Sequence, residues 1–102
     1  MTRDAEAGRE VVCALRRMAE PDAFLFVSDA DRRSCVFRRH GEELRVTRVV
    51  PAGAVRELID DGLLEVLGRT ELTAKFGLSQ AGRDRLKAEL EAERRRRRSA
   101  VA

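Results

Sequence analysis

The stretch that leaves this chain fewest choices of fold lies between Pro51 and Leu86, where the hydrophobic period changes twice and a glycine or serine marks each change. Val55, Leu58 and Ile59, with Leu63 one turn on, make a stripe at helical spacing. Pro51 suits a first turn, and Gly62 suits a terminator. A helix from Pro51 to Asp61 is expected. Leu63-Leu-Glu-Val-Leu67 and Leu72-Thr-Ala-Lys-Phe76 then flank Gly68-Arg-Thr-Glu71, which reads as strand, turn and strand, a β-hairpin. Ser79 offers an N-cap for a closing helix whose stripe includes Ala81, Leu86 and Leu90 and which runs to Arg94.

Upstream the signals are looser. Val11, Ala14, Leu15, Met18 and Ala19 recur at three- and four-residue steps, so Asp4 to Glu20 should be an amphipathic helix that Pro21 stops. Ala23-Phe-Leu-Phe-Val27 reads as a strand, Ser28-Asp-Ala-Asp31 as a turn, and Ser34-Cys-Val-Phe37 as a strand pairing back. His40-Gly41 breaks the pattern. From Leu44 to Val50 the apolar positions fit neither a helical nor a strand period.

Composition excludes several classes of function. A chain of 102 residues holds one core and one domain, and its 26 Leu, Ile, Val and Phe residues are enough to fold it despite 38% charged residues. With no Trp or Tyr, and only Phe24, Phe26, Phe37 and Phe76, there is little material for a base-stacking platform, which argues against an RNA reader. Cys13 and Cys35 have no CxxC spacing and His40 is the single histidine, so neither a metal site nor a Cys/His catalytic pair is supplied; no cofactor is expected. No phosphate-binding glycine loop and no Ser/His/Asp set suggests an enzyme. The charged amino terminus and the lack of a long apolar run lead to the expectation of a cytoplasmic, nucleoid-associated protein.

From Val55 to Leu86 the ordered string of Leu58, Gly62, Leu63, Leu78, Ser79, Gly82, Arg83 and Leu86 resembles a winged helix-turn-helix, an α+β fold in which a recognition helix feeds a two-stranded wing and then a closing helix. Over Arg9 to Lys87, beginning at Leu15-Arg-Arg-Met-Ala-Glu-Pro-Asp-Ala-Phe-Leu25, the chain is similar to an uncharacterised domain of alphaproteobacterial regulators that include activators of gene transfer agents. The resemblance implies a winged-helix domain over 1–93, a promoter-binding co-activator role on double-stranded DNA, and a protein partner that contacts RNA polymerase. Residues 94–102 are set apart as a basic disordered tail. A winged helix that docks protein instead of DNA is the alternative.

Net charge is only +3 but strongly segregated: −3 over 1–31, +5 over 32–56 and −4 over 57–71. A recognition helix reads base edges with its amino-terminal residues, so Arg48, Ala52, Gly53 and Arg56 are groove candidates, with Arg45 and Thr47 beside them. Arg69, Thr70 and Lys75 on the wing, and Arg32, Arg33, Arg38 and Arg39 ahead of the helix, are candidates for phosphate contact. Glu57, Asp60 and Asp61 must then point away from DNA. The Arg94–Arg98 run could follow phosphates without sequence preference. Asp4–Arg17 and the tail are the surfaces where a second copy or another protein would dock.

Overall fold

A computed structural model describes residues 2–29 and 33–101, with side chains over 8–29 and 33–99; Arg32 and the end of the expected 28–31 turn lie outside the described residues. Among these residues the chain forms, in order, α1 (Thr2–Met18), β1 (Ala23–Ser28), β2 (Arg33–His40), β3 (Glu43–Val49), α2 (Ala52–Asp60), β4 (Leu64–Arg69), β5 (Thr73–Leu78) and α3 (Gln80–Val101). The five strands make one sheet of order β3-β2-β1-β5-β4, antiparallel at every pairing. The class is α+β.

Strand alternation decides which side of the sheet is covered. Leu25 on β1 pairs with Val36 on β2 and with Phe76 on β5, so these three share a face. Against that face lie Val11, Ala14, Leu15 and Met18 of α1, Ala54, Val55 and Leu58 of α2, and Leu86 of α3. The stripe read on α1 is the buried one, and Pro21 ends its helix; Asp22, at φ 61°, turns the chain into β1. α2 carries the chain across this face from β3, at one edge of the sheet, to β4 at the other.

The stretch 44–50 is a strand, and its period fails for a local reason. Phe37 pairs with Val46 but Val36 pairs with Arg48, so Thr47 is an extra residue, a β-bulge. Its hydroxyl donates to the Val36 carbonyl at 3.2 Å. Leu44 and Val46 are two apart, whereas Val49 follows three later on the same face. No single period describes a bulged strand.

The string read as helix, hairpin and helix is held at one point. Gly62 reverses the chain at φ 70°, a conformation that favours glycine. The Ser79 hydroxyl donates to the Gly62 carbonyl at 2.7 Å and accepts from the Gly82 amide at 3.1 Å, capping α3. The Ser79 amide donates to the Leu63 carbonyl at 3.0 Å. A Cβ on Gly82 would stand 2.2 Å from that carbonyl oxygen, closer than atoms allow, so the approach of α3 to the hairpin base requires glycine.

Two features differ from expectation. α2 follows a strand, so among the described residues no two helices adjoin in sequence and the paired helices of a helix-turn-helix are not formed. The Arg94–Arg98 block, expected as a disordered tail, continues α3: Glu93 accepts from Arg97 at 3.1 Å one turn on and pairs with Arg16 of α1, which extends the helix past the last core contact at Leu86.

Candidate nucleic-acid interface

The basic residues expected to form one patch separate into four groups. Arg38 and Arg48 face the helices. Arg48 donates from Nε and Nη2 to Oε2 of Glu10 on α1 at 3.2 and 2.8 Å, and Arg38 donates to Glu20 at 2.9 Å. The hydrogen bond from Glu10 holds the Arg48 guanidinium above the ordinary arginine pKa. Arg48 therefore ties α1 to the sheet and Arg38 ties the turn that follows α1, and both have their charge already answered. Arg45 pairs with Glu43 at 3.4 Å in the open, and Thr47 is occupied by the bulge.

Ala52, Gly53 and Arg56 form the second group, all exposed at the start of α2. A groove of about 590 Å³ runs between this first turn and the end of β1 at Ser28 and Asp29. Small residues at 52 and 53 let another backbone approach closely, and Gly53 has no atom within 4 Å of where a Cβ would stand. The Arg56 side chain is 85% exposed and only loosely paired with Asp60 at 3.8 Å. Asp61 lies 3.9 Å from Arg85 of α3, so the acidic end of α2 is partly answered within the fold. That eases the repulsion the charge map predicted.

Arg69 and Thr70 form the third group, at the tip of the β4–β5 hairpin. Thr70 and Thr73 share a hydroxyl contact at 2.6 Å, and the Thr73 amide donates to the Thr70 hydroxyl at 3.1 Å, which fixes the turn. Arg69 is exposed, with no ion pair among the described residues.

Arg39 and Lys75 make the fourth group, on the opposite side of the sheet from α2. Lys75 pairs with Phe26 across β1, and Arg39 pairs with Leu44, so both stand on the side that no described helix covers. There they meet three aromatic rings. Phe24 and Phe37 are stacked at 5.8 Å between centroids, Phe26 meets Phe37 edge-on at 6.1 Å, and the Lys75 ammonium sits 4.2 Å from the Phe24 ring centre. Asp22, Ala23, Phe24, Arg39, Leu67 and Lys75 line a groove of about 410 Å³. Leu44, Val46 and Val49 of β3 continue the apolar surface, each about half exposed or more.

This aromatic face was missed because four phenylalanines in the whole chain looked too few for a platform. The signal was present locally. Phe24-Leu-Phe26 in a strand puts both rings on one side and Leu25 on the other, and β2 then brings Phe37 beside them. No helix among the described residues is long and apolar enough to cross a membrane. No protein-family model, no curated protein and no solved structure matches the chain.

Proposed function

We propose that the chain is a sequence-specific DNA-binding transcription regulator of winged-helix type, with α2 entering the major groove and the β4–β5 hairpin acting as the wing. The observation that carries this reading is the locked unit at Gly62, Leu63, Ser79 and Gly82, which holds an exposed Arg56 on α2 and an exposed Arg69 at the hairpin tip on one rigid frame. A groove reader needs that rigidity, because base contacts demand fixed register while phosphate contacts supply affinity. In this arrangement α1 and β2 brace α2 where a helix-turn-helix uses its first helix. The resemblance over Arg9 to Lys87 adds the role of promoter-binding co-activator of gene transfer agent genes, working with a partner that contacts RNA polymerase.

Binding to duplex DNA across a salt series tests the proposal. Affinity should fall linearly in log salt, with some sequence preferred over random duplex. Arg56→Ala should lose that preference by about 1–3 kcal/mol, whereas Arg69→Ala should weaken all sequences alike and reduce the salt slope by about one. Absence of duplex binding at low salt overturns the reading and leaves the protein-docking alternative.

A further inference from the structure

We propose that the uncovered face of the sheet is a second binding surface, for single-stranded nucleic acid, with bases stacking on Phe24, Phe26 and Phe37 and phosphates taken by Arg39 and Lys75. An antiparallel sheet with helices on one side ordinarily presents polar residues on the other. Here the middle of the open side is aromatic instead, and the rings cluster on β1 and β2, at the centre of the sheet and away from β4. Rings at the centre of a sheet with cations beside them are the elements that bind single strands: stacking accepts any base, and the cations follow the backbone.

Charge bears on the occupant. On this face Arg33, Arg39 and Lys75 stand against Glu65 and Asp22, the latter lining the same groove as Arg39 and Lys75. A nucleic-acid strand answers the cations that the fold leaves without an ion pair among the described residues. Arg39 and Lys75 flank Phe24 on one groove, and neither forms an ion pair among the described residues, so both have donors to give. Lys75 is exposed, and its contact with the Phe24 ring is weaker than base stacking, so a base displaces the ammonium toward a phosphate.

The test is fluorescence anisotropy of the full chain with a labelled oligothymidylate of about 12 nucleotides, within the usual range of site sizes. Saturable binding is expected at low salt. Phe37→Leu, which keeps apolar volume but removes the ring, should weaken it at least about tenfold. Lys75→Gln should weaken it less and flatten its salt dependence. Circular dichroism and the thermal midpoint check that each variant folds; should Phe37→Leu unfold, Phe24→Leu and Lys75→Gln carry the test. The inference is overturned if oligothymidylate does not bind, or if folded ring and lysine variants bind like the wild type. It is also overturned if sedimentation finds a dimer that Phe37→Leu disperses and oligothymidylate does not. Duplex binding measured in parallel separates the two sites. Phe37→Leu should leave it intact, and loss of duplex binding alone would sink the α2 reading without touching this one.

Discussion

Adjacent residues on β1 live under opposite rules. Leu25 is fully buried beneath the helices, while Phe24 and Phe26, larger and more apolar, stand on the side with no helix over them. The covered face holds the aliphatic core, bordered by the pair of Arg48 with Glu10 on α1 and the pair of Arg38 with Glu20 in the turn after it. The uncovered face holds three of the four aromatic residues and cations without ion pairs among the described residues. Of the four rings only Phe76 joins the aliphatic residues on the covered side, and the other three are turned outward. The contrast teaches that the position of apolar mass, and not its amount, separates stability from recognition in this chain.

The comparison can be broken by substitution, and the largest effect should fall on the covered side. Leu25→Ala should cost about 2–5 kcal/mol in chemical denaturation, since it opens a cavity under all three helices. A loss below 1 kcal/mol would mean the covered face is not the core. Gly82→Ala comes next, at about 1–3 kcal/mol, because the new methyl group must push α3 off the Leu63 carbonyl. Its thermal midpoint should drop with little change in helix content by circular dichroism. Phe26→Ala removes more atoms than Leu25→Ala yet should cost less, about 1–2 kcal/mol, because its ring keeps partial access to water on the open side. An equal loss at 25 and 26 would show that something covers the open face in solution. Arg48→Met is the smallest, at about 0.5–1 kcal/mol, as its partner Glu10 keeps partial access to water. High salt should shrink that difference, whereas the Leu25 effect should not change.

How much of this could be read in advance depended on whether the determinant was local. The α2–hairpin–α3 unit was legible because Gly62, Ser79 and the change of hydrophobic period act within a few residues of themselves, and the observed bounds differ from the expected ones by one or two residues at most positions. Two strands flanking residues 28–31 were legible for the same reason. The stretch 44–50 was not, since a bulge at Thr47 is set by pairing with β2 and erases the period that would have announced it. The site fared less evenly. Arg56 and Arg69 are exposed where a groove reader would need them, but Arg38 and Arg48 are engaged by Glu20 and Glu10, acids lying far from them in sequence. Lys75 and Arg39, expected beside α2 as candidates for phosphate contact, stand on the opposite side of the sheet from it, because which way a hairpin residue points depends on the register of the whole sheet.

The Thr47 bulge has a counterpart. On β4, Val66 pairs with Phe76 and Gly68 with Lys75, leaving Leu67 as the extra residue, so both outermost strands are bulged. A regular outer strand is a template on which further strands can add, and an irregular one is a poor template. This sheet thus ends at five strands by its own geometry, protected from growing sideways into filaments or borrowing a strand from a neighbour. A partner that would extend the sheet finds no regular edge on either rim.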